Sequence, residues 1–230
     1  MLNATGFAGD ERGFTLVELL VATVVSMLVL GGAVALTSQV QSGYRTQMEA
    51  AAAQQEGRYA LEWVSRLIRA AGNNPYSIPS SASILVSPGG DCPAAGTYLD
   101  AIIFDPNATG VDNNIRIQTD SNPPDGLLGG AAGTCDQQNE DVTVSFDAAT
   151  NSITFLDNNL GGGASIRTDA VIADLRFIYR DVAHNPTATP ANVVYVETQV
   201  TVRTRSIDPR TGAPATRVLS QEVRLRGRNY

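Results

Sequence analysis

Residues 14–37 read FTLVELLVATVVSMLVLGGAVALT, a run of 24 positions with a single charge, Glu18. At 1.5 Å of rise per residue this run makes roughly 36 Å of helix, enough to cross a hydrocarbon core of about 30 Å with some tilt. A buried helix of this length in a soluble protein carries a polar face, and none is present here apart from Glu18. A secretory signal has a shorter apolar region preceded by basic residues. Here the preceding MLNATGFAGDERG is net acidic. The stretch therefore predicts a membrane-spanning helix. Glu18 is then the informative residue, because a carboxylate in such a span costs up to a few kcal/mol to insert and by default marks function. Snorkelling to the head groups explains its tolerance but not its place inside an uncharged run.

The apolar stripe continues in altered form. Beyond Thr37 the sequence stays helical in character and turns amphipathic over about 44–72, where Ala60, Trp63, Val64, Leu67, Ile68 and Ala71 recur at spacings of three and four. Trp63 among Val, Leu and Ile reads as core. Glu62 and Arg66 stand i,i+4, Arg69 suits the negative end of the helix dipole, and Gly72-Asn73-Asn74-Pro75 is a stop. The helix is expected over about 14–71, with Gly31, Gly32, Gly43 and Gly57 permitting bends or close packing.

After Pro75 short β-like runs alternate with Gly, Pro, Asn and Asp. Strands are expected at 98–104, 114–118, 142–146, 152–156, 170–179, 192–205 and 216–226. Turns at 147–151 and around IDPRTGAPA make two hairpins. The fold class is α+β, a long N-terminal membrane helix whose C-terminal half covers an antiparallel β-sheet head. The domains expected are a leader at 1–13, the helix at 14–72 and the head at 73–230.

Composition narrows the chemistry. The chain has 230 residues and net charge −7, and all 16 basic residues are Arg. One His and two Cys exclude zinc sites built from several histidines or four cysteines. No metal, no cofactor and no catalytic residue is expected, and the reading is not an enzyme. Acids crowd into 81–200, where the net charge is −11, whereas 201–230 carries +5.

Gly13 followed by Phe14-Thr15-Leu16-Val17-Glu18 and a long apolar helix resembles the prepilin-type cleavage and methylation segment of type IV pilins and type II secretion pseudopilins. The stretch QEGRYALEWVSRLIRAAG at 55–72 resembles PilW-type minor pilins, and so, loosely, do ADLRFIYRD at 173–181 and the closing VLSQEVRLR. The resemblance implies cleavage between Gly13 and Phe14 by prepilin peptidase and N-methylation of Phe14. The new amine and Glu18 then neutralise each other, within one helix or between subunits, and fix axial register in a medium of low dielectric. It also implies a single-pass precursor in inner-membrane lipid, N-in and C-out, that meets an assembly platform and other pilins before reaching a pilus, the periplasm or the cell surface. No Pro precedes Pro75, which favours a minor pilin or pseudopilin over the main fibre subunit. The expected function is a minor pilin in a priming or tip complex. A minor pseudopilin of type II secretion (GspJ-like) and a pilus-associated adhesin or DNA-uptake protein are the alternatives.

Outside the cytoplasm a disulfide between Cys92 and Cys135 is permitted, and it would close a loop of about 44 residues. Its stabilisation in the chain-entropy description is about 4 kcal/mol at most. Asp105-Pro-Asn107-Ala-Thr109-Gly110-Val111-Asp112 has the front half of a calcium loop, but Arg116 stands where the closing acid belongs, so an Asx-rich turn is expected. His184 reads as a loop residue. Gly161-Gly162-Gly163, with no Lys-Ser/Thr after it, reads as a flexible loop rather than a phosphate cradle. Arg203 and Arg205, then Arg224, Arg226 and Arg228, alternate on strands, so each group projects from one face of the sheet, and a basic stripe is the functional expectation. An acidic neighbouring subunit fits that stripe better than DNA, because no aromatic residues interleave for stacking. A solvated strand face is the plain alternative.

Overall fold

The structure is a computed structural model that describes residues 13–77, 99–129, 137–160, 162–208 and 211–226. Cys92, Cys135 and Arg228 lie outside the described residues. A single helix, α1 (Leu16–Ala70), precedes eight strands: β1 (Ile102–Phe104), β2 (Asn114–Gln118), β3 (Asp141–Asp147), β4 (Ser152–Asp157), β5 (Ser165–Ile166), β6 (Ile172–Arg180), β7 (Tyr195–Asp208) and β8 (Ala213–Arg224). Two compact units result, Met1–Gln47 and Met48–Tyr230.

Within the second unit the strands form two antiparallel sheets, β1-β2-β3-β4-β5 and β6-β7-β8. The turn at 148–151 joins β3 to β4, and Phe146 opposes Ile153. The hairpin of β7 and β8 is the longer, with Val202 opposite Arg217 and Tyr195 opposite Arg224. Beyond the expected strands, Ser165–Ile166 adds a two-residue fifth strand against β4. The expected 98–104 strand contracts to Ile102–Phe104, and residue 98 lies outside the described residues.

The amphipathic half of α1 supplies the helical layer. Ala53, Gly57, Ala60, Val64 and Ile68 are buried at spacings of four and three, so one face turns to the sheets. Gly57 has a specific reason to be Gly. A Cβ there would stand 2.6 Å from Val202 Cγ1 and 2.7 Å from Leu219 Cδ1, so β7 and β8 approach the helix backbone directly. Further along, Trp63 meets Phe155 of β4 at 5.8 Å between ring centroids, and the Arg167 guanidinium lies 4.6 Å from the same ring. Ser206 donates its N–H and its hydroxyl to the Glu49 carboxylate at 2.9 and 2.7 Å. The Asp169 N–H donates to Glu56 at 3.0 Å. The helix stops where Gly72 takes a φ of 73°, its N–H donates to Gln118 O at 2.9 Å, and Asn73 exchanges hydrogen bonds with the Asp120 backbone.

The five-stranded sheet has one apolar and one polar face, and the polar one is buried too. Paired residues share a face, so Ile115, Val144 and Phe155 lie together on the apolar side. On the other side stand Asn114, Arg116, Gln118, Asp141 and Thr143, all at least nine-tenths buried. Burying such groups is costly unless every one is paired. Arg116 donates to both oxygens of Asp141, through Nε at 2.6 Å and Nη2 at 2.5 Å. Gln118 and Asn158 donate to the same carboxylate at 3.0 and 2.9 Å. Glu140, also buried, accepts the backbone N–H groups of Ser121, Asn122 and Gly129 and so gathers the loop after β2.

Candidate functional site

The N-terminal end of α1 is built by a local sequence rule. Thr15 is the cap residue and Glu18 stands three positions on, the spacing of a capping box. The Glu18 N–H donates to Thr15 Oγ1 at 3.3 Å. In return the Thr15 N–H and hydroxyl each donate to Glu18 Oε2 at 2.9 Å. The one acid of the apolar run therefore closes the helix N-terminus, where its negative charge also suits the dipole. Residues 13–15 lie outside the helix, so the Gly13–Phe14 bond is free of the helical hydrogen-bond ladder and exposed. A peptidase that draws its substrate into an extended conformation finds that bond available without unwinding a turn.

Along this segment the apolar side chains are unburied. Phe14 is 84% exposed, and Leu16, Val17, Met27, Leu28 and Val34 are all more than two-thirds exposed. Nothing in the described chain lies within 4 Å of a Cβ added at Gly31, Gly32 or Gly43. Among the described residues this helix is the one long and apolar enough to cross a membrane. An apolar rod with an open surface is suited to lipid or to other rods.

Arg203 opposes Thr216 and Arg224 opposes Tyr195, so the two groups stand eight residues apart along β7, roughly 26 Å at strand rise. Arg205 pairs with Asp169 at 3.3 Å. Arg224 and Arg226 instead share a depression with Arg69, which the sequence had placed only at the helix dipole. Between the two groups, Glu197 and Glu222 face each other across β7 and β8. Their repulsion is relieved by Arg180, 2.6 Å from Glu197 and 3.5 Å from Glu222, and His184 Nδ1 lies 3.1 Å from Glu222. The hydrogen bond from Arg180, supported by one from Gln199, holds the Glu197 carboxyl below its usual range. His184 stacks on Tyr195 at 4.1 Å.

The Asp105 loop is a turn closed on itself. The Asp105 carboxylate accepts Thr109 N–H at 2.9 Å, Thr109 Oγ1 at 2.7 Å, Gly110 N–H at 2.7 Å and Asn114 Nδ2 at 2.7 Å. Its oxygens face these donors rather than a common centre with other acids, and Arg116 is engaged with Asp141. Desolvation works to raise the Asp105 pKa, but the hydrogen bonds from Asn114, Thr109 and Gly110 outweigh it and hold the carboxyl at about 2, below its ordinary 3.8. A depressed folded-state pKa contributes stability that is present above the unfolded value and lost as pH falls through the folded one. The Asp105→Asn variant, melted in detergent between pH 5 and pH 2, is therefore expected to lose less stability than the wild type below an ordinary carboxyl value of about 3.8. Parallel acid limbs for the two chains would remove Asp105 from the acid response.

These elements define a pilin-like α+β arrangement, one long N-terminal helix whose residues from Met48 on pack on antiparallel sheets. The family model of the prokaryotic N-terminal methylation motif matches residues 9–34 and supports a type IV pilin-like protein. No curated protein and no solved structure matches the chain. The match spans Gly13, Phe14 and Glu18, and with the apolar helix it fits a precursor anchored in the inner membrane. Processing by prepilin peptidase and assembly with other pilins follow from the motif, and a structural subunit is the role that such a family suggests.

Proposed function

We propose that this chain is a minor pilin of a type IV pilus machine, PilW-like, cut between Gly13 and Phe14, N-methylated on Phe14 and incorporated by helix packing into a fibre or its priming tip. The observation that supports the reading is an exposed Gly13–Phe14 bond beside Glu18, which closes the helix N-terminus at the head of an open apolar rod. In the precursor Thr15 satisfies the Glu18 carboxylate. After cleavage the amine of Phe14 is a stronger, charged partner for the same carboxylate, in the same subunit or the next one. Each charge alone is costly in lipid, and together they offset that cost only in register. The precursor is N-in and C-out, the head is periplasmic or extracellular, and Cys92 and Cys135 form a disulfide there.

Quantitative detection of the chain in sheared surface filaments tests the proposal. A signal well below that of the main subunit, lost when the pilus assembly platform is deleted, is expected. Absence from filaments together with loss of protein secretion in a deletion strain would assign the chain to a type II pseudopilus instead.

A further inference from the structure

Arg69 lies in the last turn of α1, and Arg224 and Arg226 lie at the end of β8 and just beyond it. The three line one open depression of about 440 Å3 floored by the buried Leu225. An adjoining depression of about 220 Å3 shares Arg69 and Arg226 and reaches Asn73 and Thr119. Several other guanidinium groups are matched: Arg66 with Glu62, Arg116 with Asp141, Arg176 with Asp174, Arg180 with Glu197 and Arg205 with Asp169. Among the described residues Arg69, Arg224 and Arg226 have no carboxylate. Three cations that share one depression repel one another. An anion with acceptor oxygens answers that repulsion.

We infer that this depression is a carboxylate-binding site that docks an acidic segment of a partner protein; that the partner is another subunit of the same machine rests on the assembly reading above. Phosphate offers similar acceptors, so the choice between protein and nucleic acid is made by the surroundings. A nucleic acid needs a continuous basic track, and Glu197 and Glu222 interrupt the sheet face between this site and Arg203. It also gains from aromatic platforms, and among the described residues no aromatic side chain lines either depression. A compact group of guanidinium forks beside an apolar floor suits a short acidic peptide segment, which brings carboxylates and aliphatic stems together.

The test uses the full chain in nanodiscs of zwitterionic lipid, with a fluorescent octaglutamate peptide and an eight-nucleotide single strand as probes. The Arg69→Gln/Arg224→Gln/Arg226→Gln variant is expected to weaken peptide binding by at least about tenfold, as loss of several charge-assisted contacts requires. The Arg203→Gln/Arg205→Gln variant, at the other end of the sheet, is expected to stay within about twofold. Trp63 fluorescence confirms that both variants are folded. Equal losses in the two variants, no peptide binding by the wild type, or tighter binding of the oligonucleotide than of the peptide would each overturn the inference. The state of Phe14 separates this failure from that of the assembly reading. A methylated Phe14 without peptide binding sinks the site alone, whereas peptide binding by a chain that keeps its leader upholds the site and removes the assembly partner.

Discussion

Glu18→Leu is expected to leave the chain in the membrane and to cut its recruitment into filaments by on the order of a hundredfold. The substitution makes the span more apolar, since it removes an acid from the apolar run, where a charge costs up to a few kcal/mol on insertion scales. Insertion therefore holds or improves. Assembly suffers because the Phe14 amine, once cut, enters a low-dielectric environment without its carboxylate. Removing one partner of a buried pair costs about 3–5 kcal/mol, and each 1.4 kcal/mol is a factor of ten in an equilibrium. Glu18→Gln keeps an acceptor for the Thr15 N–H and lacks the charge, so it separates the two roles of this side chain. Helix capping survives in Glu18→Gln while recruitment falls as in Glu18→Leu. Recruitment of Glu18→Leu at the wild-type level would end the electrostatic part of the account.

The second large effect belongs to the head. Arg116→Met and Asp141→Leu are each expected to destabilise it by about 3–5 kcal/mol, because either one strands a charge in a site that excludes water. The double variant is expected to recover part of that loss, since the pair's desolvation cost disappears with the pair while the Gln118 and Asn158 amides lose their acceptor. Trp63 is the only Trp of the chain and touches Phe155 on β4, so its fluorescence in a urea titration reports the sheet directly. Single variants that cost less than about 1 kcal/mol, or a double variant that costs the sum of both, would show that the network is not the polar core of the head.

What could be read before the structure follows from local physics. The helix end at Gly72, the stripe from Ala60 to Ala71, the strand at 114–118 and the turn after Asp147 all depend on residues within a few positions of one another. The hairpin of β7 and β8 was legible as well, although its ladder runs on toward the turn to Asp208 and Ala213, beyond the expected 205 and 216. β5 was missed because two residues after a Gly-rich stretch carry no period. The Arg116–Asp141 pair joins positions 25 apart, and Arg116 drew notice only as the wrong residue for a calcium loop. Nothing in the spacing marks Glu140 as a buried acceptor of three backbone N–H groups. Arg69 beside Arg224 and Arg226 is a product of topology, since the helix end and the last strand meet only in the folded head. At the N-terminus the Thr15-x-x-Glu18 spacing of a capping box went unused, and the register role of Glu18 rested on its charge and on the prepilin resemblance.

Mass spectrometry of the N-terminal peptide from chain purified out of cells with active prepilin peptidase tests the central claim most directly. The expected species begins at Phe14 and carries one methyl group on its amine. A chain that still begins at Met1 in those cells would contradict the account, and with it the role given to Glu18.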